Sequence, residues 1–355
     1  MRILFEVHHP AHIHFFKFII QGLQNQEHSC RVVGRDRDVM KRLLESYPWI
    51  NSEQSTAASA GKRNRFPIVE LPKRHWLVAK QIRRFKPDLV LSLMGSYSQS
   101  ARLLGVPSWI FTDSEFQSFN HRIAHPFASR IYTPNCFYKE LGPKQIRYNS
   151  YHELTFLHQN HFKPDPGILS ELGGVQENGY ILLRLSAWDT LHDVKHQGLA
   201  DATPKLVEDL AQRFPLFIVP EGGKLPPEWE QYRFPAPPEK LHDALAFARL
   251  VVTEGASTAS EATCLGTPVV YVNSTDERGY LVDQQGRYGL PLCFSSAEGV
   301  SQAVETLLQT PFDSQDREKQ RSQICEDHQD LAQYVVEQVN EFSNQLHQSD
   351  EQRSA

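Results

Sequence analysis

Two successive series of short apolar segments, separated by segments with helical periodicity, constrain the fold of this chain more than any other feature. The first series comprises 2–7, 30–34, 66–71, 88–93, 107–111 and 130–134, and the second comprises 180–185, 216–220, 250–254 and 268–272. Short apolar runs that alternate with helices are typical of parallel strands covered by helices on both faces of the sheet. The sequence therefore predicts an α/β chain with two Rossmann-like, doubly wound parallel sheets.

The length of the chain also favours two domains, because 355 residues exceed what one hydrophobic core usually serves. The series divide at the Pro- and Gly-rich segment 160–174. We expect a first domain at 1–155, a second at 166–325, a helix at 326–346 that could join the first domain, and a disordered tail at 347–355. Since ligands bind at the carboxyl ends of such strands, the two domains are expected to face each other across a cleft.

Composition excludes several classes of protein. The net charge of −5 gives no reason to expect a nucleic-acid partner. The five cysteines are scattered without a CxxC pair, which argues against a disulfide framework or a zinc ribbon and favours the cytoplasm. "MRILFEVHH" is too short and polar for a signal peptide, and no apolar run has the ~20 residues of a membrane span. A peripheral membrane contact stays open, because "HIHFFKFII" is apolar on one side.

The segment "TEGASTASEATCLGTP" (253–268) has the pattern of an anion-binding turn. Gly255, Ala256 and Ser257 follow a strand and open a helix, so a ligand can approach the backbone closely and meet free N–H groups. Glu261 lies about one turn further on, where a carboxylate can reach a ribose diol. The alternative is structural, because Thr258 and Glu261 also have the spacing of a capping box.

Four histidines, His8, His9, His12 and His14, follow the first strand in "HHPAHIHFF" (8–16). They could bind a metal, act as acid or base, or simply cap and pack the first helix. Pro10 interrupts the i, i+4 spacing that helical metal ligands need, so no metal site is predicted. No role is assigned to His8.

Several short motifs together resemble one family. They are "HPxHxHFF" (9–16), "RD" (35–36), "DxE" (113–115), "RYN" (147–149) and "RxxAW" (184–188). As a set they resemble the family catalogued as domain of unknown function 354. The segment from 253 onward also resembles the donor-binding segment of non-hydrolysing UDP-GlcNAc 2-epimerases, with Ser257, Glu261 and Gly266 in register. The resemblance covers about 1–300 and implies a GT-B-like fold that takes a nucleotide diphosphate-sugar as substrate and needs no cofactor.

The same resemblance separates two reactions. Epimerases of this kind use carboxylates in the first domain, but Phe119 stands before Asn120 where one is required. The second carboxylate is at best replaced by Asp113 or Glu115. His12 aligns with a histidine in the "GGxGGH" loop of the lipid-linked GlcNAc transferase of peptidoglycan synthesis. We therefore expect a glycosyltransferase, UDP-dependent, that acts on an envelope, exopolysaccharide or lipid-linked acceptor, with His12 as general base. An epimerase and a non-catalytic sugar-nucleotide-binding protein are the alternatives.

Further residues, at or after the ends of predicted strands, are candidates for the site, and each also has an ordinary structural explanation. The segment around His242 matches where related enzymes hold uracil. The catalytic candidates are His12, His9, Asp113 and Glu115, and the acceptor-loop candidates are His14 and Asn120. The donor-binding candidates are Arg184, Trp188, Glu221, Gly255, Ala256, Ser257, Thr258 and Glu261.

Overall fold

The computed structural model divides the chain into two compact units. Unit 1 comprises Met1–Phe156 and His328–Ala355, and unit 2 comprises Leu157–Asp327. The segment predicted as a linker, 160–174, belongs to unit 2. The structure describes residues 1–34, 43–51, 55–59, 67–93, 95–185, 199, 203–220, 225–274 and 277–354.

Unit 1 contains a sheet of seven described strands, in which every neighbouring pair is parallel. The order is β3-β2-β1-β4-β5-β6-β7. The central strand β1 is paired on both sides, with Phe5 opposite Val32 on one neighbour and Leu91 on the other. The strands are β1 Arg2–Val7, β2 Ser29–Gly34, β3 Ser55–Ser59, β4 Leu89–Ser92, β5 Ser108–Phe111, β6 Arg130–Pro134 and β7 Gln145–Tyr148.

Helices cover both faces of this sheet. They are α1 Pro10–Asn25, α2 Pro67–Phe85, α3 Ser98–Leu103, α4 Ser118–Ala124, α5 Leu154–Leu157 and the C-terminal helix Leu331–Ser354. Alternate residues of β1 point to opposite layers. Ile3 and Phe5 pack with α1 and the C-terminal helix, whereas Leu4 packs with Val78 and Ile82 of α2. Burial on both faces explains why this strand is a continuous apolar run.

Unit 2 contains a second sheet, with five described strands that are again parallel throughout. The order is β12-β11-β10-β8-β9. The strands are β8 Ile181–Leu185, β9 Leu216–Pro220, β10 Leu250–Thr253, β11 Val269–Val272 and β12 Leu292–Phe294. The helices are α6 Gly167–Glu171, α7 Thr203–Ala211, α8 Leu241–Phe247, α9 Ala256–Cys264, α10 Gly279–Tyr288, α11 Val300–Gln309 and α12 Ser314–Asp327.

Two parallel, doubly wound sheets confirm the predicted fold class, but one predicted strand is wrong. The segment 66–71 was expected to be a strand, whereas 67–71 open the helix α2. Its branched and aromatic residues favour a strand locally, but Pro67 starts a helix of 19 residues, and proline is well tolerated in a first helical turn. The third strand is instead β3, a segment of small residues at the edge of the sheet.

The end of the chain also differs from expectation. The C-terminal helix begins at Leu331, where the carboxylate of Asp330 accepts a hydrogen bond from the Gln333 N–H (3.1 Å) and so caps the first turn. It continues to Ser354, through most of the predicted disordered tail at 347–355. No helix in the described ranges is long and apolar enough to cross a membrane.

Candidate functional site

Each sheet has one position where its strand order reverses. In unit 1 the chain builds outward from β1 through β2 to β3 and then returns to β4, so this switch point lies between β1 and β4. In unit 2 the corresponding point lies between β8 and β10. Loops that leave two such strands diverge, which opens a crevice at the carboxyl ends of the strands where ligands of these folds bind. The polar groups at these two points are therefore the candidate site residues of each unit.

Glu6 is the centre of a buried polar cluster at the switch point of unit 1. Its carboxylate accepts hydrogen bonds from Ser92 Oγ (2.6 Å), from Ser96 Oγ and from the Tyr97 N–H (3.1 Å), and it pairs with His8 Nε2 (2.6 Å). Burial alone raises the pKa of Glu6, but His8 and the two serine hydroxyls together lower it to about 2. The side chain is therefore a carboxylate at neutral pH.

His8 is oriented by this carboxylate. Its Nε2 lies 2.6 Å from Glu6 Oε1 and 2.9 Å from Ser96 Oγ. Because both groups meet the same nitrogen, this is not a serine–histidine–acid relay, which uses different ring nitrogens. The Nδ1 atom is buried and has no hydrogen-bond partner among the described residues. Since Glu6 and Ser96 both meet Nε2, Nδ1 is the ring nitrogen that is left for a ligand.

His8 was not among the candidate residues, although it contacts the Glu6 carboxylate. A signal was available, because Glu6 and His8 are two residues apart at the end of a strand, where side chains with this spacing point the same way.

His9 and His12 have different environments. His9 is the N-cap of α1, and its Nδ1 accepts a hydrogen bond from the Ala11 N–H (3.3 Å). His12 is buried, and its Nδ1 accepts from the His8 backbone N–H (3.3 Å). Burial, with a smaller effect of His8, lowers the pKa of His12 to about 3. His12 is therefore neutral at neutral pH and a weaker base than its ordinary pKa suggested.

The rest of the first helix is mainly core. The His14 ring lies 5.4 Å from the Phe156 ring and 6.3 Å from the Tyr47 ring. The side chains of Phe16, Ile19 and their apolar neighbours are buried in the core. The apolar side of "HIHFFKFII", for which a peripheral membrane contact was left open, thus packs in the core of unit 1.

The acidic candidates lie after β5. Asp113 Oδ2 is 3.1 Å from Nδ1 of His152, a residue from beyond β7. Glu115 is fully buried, and its backbone carbonyl accepts a hydrogen bond from Lys139 Nζ (2.6 Å). Asn120 is half-buried in α4. The Asp113–His152 pair could not be predicted, because the sequence gave no reason to single out His152.

Arg184 and Thr258 meet at the switch point of unit 2. Arg184 is the penultimate residue of β8, and its Nη1 donates a hydrogen bond of 2.6 Å to Thr258 Oγ1 in the first turn of α9. The N-cap of α9 is Gly255, and no described side chain caps this end. Ala256 is half-buried and Ser257 is exposed. Free N–H groups, the positive end of the helix dipole and a guanidinium thus converge where an anion can bind.

Glu261 lies one turn further along α9 and contacts a second element. Its Oε1 is 3.4 Å from His242 Nε2 at the start of α8, and both side chains are buried. Glu261 Oε2 is buried and has no hydrogen-bond partner in the described part of the chain. The capping box considered from the sequence is not formed, since Gly255 rather than Thr258 is the N-cap. One carboxylate oxygen is therefore available to a hydroxyl donor.

Some candidates lie outside the described residues. These are Trp188 and Glu221, together with the motif 35–36, and their assignments stay predictions. Among residues that are described, no group of three or more His, Cys, Asp and Glu side chains is arranged to hold a metal ion.

Solved structures of low sequence identity share this fold. UDP-N-acetylglucosamine 2-epimerase from Rickettsia bellii superposes with a TM-score of 0.68 at 12% identity, over 98% of each chain. UDP-GlcNAc 2-epimerase from Neisseria meningitidis bound to UDP-GlcNAc also gives 0.68 at 12% identity, over 96% of this chain and 100% of that one. The Streptomyces sp. SF2575 glycosyltransferase SsfS6 gives 0.56 at 13% identity, over 96% and 99%. The likeness confirms the GT-B-like fold.

Sequence comparison gives the classification. No curated protein matches the chain. A profile of one family, described as "Protein of unknown function (DUF354)", matches residues 1–344, which include every candidate residue of both switch points. This confirms the resemblance seen in the motifs, and the chain therefore belongs to the DUF354 family.

Proposed function

We propose that this protein is a glycosyltransferase that moves a sugar from a nucleotide diphosphate-sugar, UDP-linked, to an envelope, exopolysaccharide or lipid-linked acceptor. The observation that carries the proposal is the hydrogen bond between Arg184 and Thr258 at the start of α9. It holds a cation beside the uncapped N–H groups of a helix, at the switch point of the sheet. A departing diphosphate needs stabilisation of this kind.

The neighbouring groups suit the rest of the donor. Glu261 Oε2 is without a partner among the described residues and lies in a side chain whose other oxygen contacts His242. A carboxylate held in this way accepts hydrogen bonds from the two hydroxyls of a ribose. The structural neighbours named as UDP-GlcNAc 2-epimerases and as a glycosyltransferase support the same class of ligand.

The acceptor hydroxyl needs a base, and unit 1 offers two histidines. His12 is the residue that the family resemblance indicates, but a pKa of about 3 makes it a poor proton acceptor. His8 Nδ1 has no hydrogen-bond partner among the described residues, and the Glu6 carboxylate at Nε2 would stabilise the imidazolium that forms when His8 accepts a proton. His8→Gln and His12→Gln test the two candidates. Replacement of the histidine that acts as the base should lower turnover by roughly 10² to 10⁴ with little change in donor affinity.

An epimerase is the second candidate, because the structural neighbours include several UDP-GlcNAc 2-epimerases. Asp113, paired with His152, and the buried Glu115 are the carboxylates that would move the C2 proton. This reaction introduces solvent deuterium at C2 of the sugar without any acceptor. A glycosyltransferase introduces none, so mass spectrometry of UDP-GlcNAc recovered from deuterated water separates the two.

Donor binding is tested by isothermal titration with UDP. The intact protein should bind UDP, and Arg184→Gln and Glu261→Ala should each weaken binding at least about tenfold, the loss expected when a charge-assisted hydrogen bond is removed. His161→Gln, a change outside the proposed donor contacts, is the control and should bind UDP normally. If the intact protein binds none of UDP, GDP, CDP and dTDP, the proposed donor site does not exist.

A further inference from the structure

One stretch of unit 1 exposes several large apolar side chains. Phe116 is 41% exposed, Phe119 76%, Ile123 37% and Phe127 40%. Phe119 and Ile123 lie one turn apart on α4, with Phe116 just before this helix and Phe127 at the end of the 3₁₀ turn His125–Phe127. Single exposed apolar residues are ordinary, but a contiguous group marks an interaction surface. These four residues are referred to below as the apolar patch.

Cations surround the apolar patch. Lys139 Nζ donates to the backbone carbonyl of Glu115 (2.6 Å), directly before Phe116. Lys144 Nζ donates to the carbonyl of Pro126 (2.8 Å), directly before Phe127. Arg122 is exposed on α4 between the central two residues of the patch. These hydrogen bonds anchor both lysines at the ends of the patch, so the positive charge is part of the same surface.

The acidic groups of the same region do not cancel this charge. Glu115 is fully buried, and Asp113 is half-buried, with its Oδ2 3.1 Å from His152 Nδ1. Glu140 is exposed but is paired with Arg147 Nη2 (2.6 Å). The described surface around the patch is therefore apolar at its centre and basic at its rim.

We propose that the apolar patch docks this protein on an anionic phospholipid bilayer. Phe119 and Ile123 enter the boundary between headgroups and acyl chains, where aromatic and aliphatic side chains partition favourably. Arg122, Lys139 and Lys144 contact the phosphates of anionic lipids. The charge at the rim favours this occupant over a second copy of the chain, because two such patches would face each other with like charges. The docking surface is independent of the proposed transfer reaction.

The test is co-sedimentation of the full chain with lipid vesicles in the absence of nucleotide. The protein should sediment with vesicles of phosphatidylcholine and phosphatidylglycerol and much less with phosphatidylcholine alone. High salt should release it, because screening weakens contacts between exposed charges. If the protein stays in the supernatant with anionic vesicles at low salt, the proposal is wrong.

Two double variants examine the two parts of the surface. Phe119→Ser with Ile123→Ser should abolish binding to either kind of vesicle. Arg122→Gln with Lys144→Gln should weaken binding to anionic vesicles roughly 25-fold, about fivefold for each cation, and leave residual binding to neutral vesicles unchanged. Val282→Ser, which removes a side chain that is 52% exposed in unit 2, is the matched control and should bind as the unaltered protein does.

Further measurements separate this proposal from its rivals. Both double variants should retain UDP binding, so a failure of the membrane proposal cannot be confused with a failure of the donor site. Light scattering should show the same mass for the unaltered protein and for the Phe119→Ser, Ile123→Ser variant. A dimer that this variant dissociates would overturn the proposal, because the patch would then be an interface between copies.

Discussion

At the scale of single residues, each switch point contains two polar side chains that contact each other. The Glu6 carboxylate meets His8 Nε2, and Arg184 donates to Thr258 at a helix terminus. In both pairs one partner sits at a strand end and the other in the loop or helix that follows a strand. The chemistry of each group therefore depends on a neighbour supplied by the topology of the sheet.

The Gly255→Ala variant tests whether a ligand approaches the backbone at Gly255, because the substitution should change UDP affinity but not the stability of the fold. The backbone of Gly255 has φ −90° and ψ 114°, which alanine adopts readily, and an added Cβ would lie no closer than 3.5 Å to its neighbours. We expect the free energy of unfolding to change by less than about 1 kcal/mol. UDP affinity should fall at least about tenfold if the diphosphate approaches this backbone. Titration calorimetry and chemical denaturation of the same sample measure both, and unchanged affinity would place the diphosphate elsewhere.

The buried groups of unit 1 predict a loss of stability in acid. The pKa of His12 is about 3 in the native state against an ordinary 6.5, so between these values the unfolded chain binds more protons. Stability then falls as the pH falls, beginning near 6.5 and ending near 3. For Glu6 the window is 4.5 to about 2, with the same sign, since its contribution is complete above 4.5.

His12→Gln should flatten the first part of this profile. The unaltered protein should lose about 2 kcal/mol of unfolding free energy through His12 between pH 6.5 and about pH 5. Denaturation across this range should show a smaller loss in the glutamine variant, which cannot be protonated. His9→Asn is the control, because asparagine also caps helices and His9 has only a minor effect on the pKa of His12, and it should keep most of the original slope. Equal slopes for His12→Gln and the unaltered protein would contradict the assignment.

At the scale of elements, the turn after α9 requires glycine, because the backbone of another helix lies close to it. Gly266, between α9 and β11, has φ +73°, and an added Cβ would lie 2.4 Å from the carbonyl oxygen of Arg317 in α12. The clash is with backbone on a packed helix, so it cannot be relieved by a rotamer change. This turn thus sets how closely α12 approaches the element that carries Thr258 and Glu261.

Gly266→Ala should therefore destabilise unit 2 by at least about 2 kcal/mol, from the left-handed backbone and the clash together. Gly286→Ala is the matched control, because Gly286 lies inside α10 with nothing within 4 Å of the added atom. It should stabilise the helix by up to about 1 kcal/mol. Thermal denaturation of both variants compares the two effects, and a tolerated Gly266→Ala would contradict the structure of this turn.

At the scale of the whole molecule, unit 1 is assembled from both ends of the chain. The C-terminal helix packs against α1, and the two helices are in close contact where Gly22 meets Val336, since a Cβ at Gly22 would be 2.9 Å from Val336 Cγ2. Leu331, Val335 and Val339 extend the same apolar face into the core of unit 1. Residues beyond 327 are thus a structural part of this core.

Val336→Asp should destabilise unit 1 by about 3 kcal/mol or more, because it places an unpaired charge at a position that is 2% exposed. Hydrogen exchange followed by mass spectrometry should show faster exchange in β1 and α1 and unchanged exchange in β8 and β10. Asn344→Asp adds the same charge on the exposed side of the same helix and is expected to have little effect. Equal protection in both variants would show that this helix does not stabilise unit 1.

The sequence by itself predicted most of the central strands, because a strand buried on both faces must be apolar wherever it runs. Arg184 and the turn at Gly255 were both named as donor-binding candidates, and the structure brings Arg184 into contact with Thr258 in the first turn of α9. Prediction from the sequence failed where local composition was indecisive. The edge strand β3 is made of small residues, and "FPIVEL" has the composition of a strand although 67–71 open a helix.

Only the tertiary structure decided the chemistry of the individual groups. That His12 is a weak base follows from its burial, and that His8 has an available nitrogen follows from which ring atom Glu6 contacts. That α1 packs against the sheet while Phe119 is exposed is settled by which helix faces find a partner. Basicity, hydrogen-bond availability and exposure are properties of the surroundings of a side chain, and those surroundings come from residues distant in the sequence.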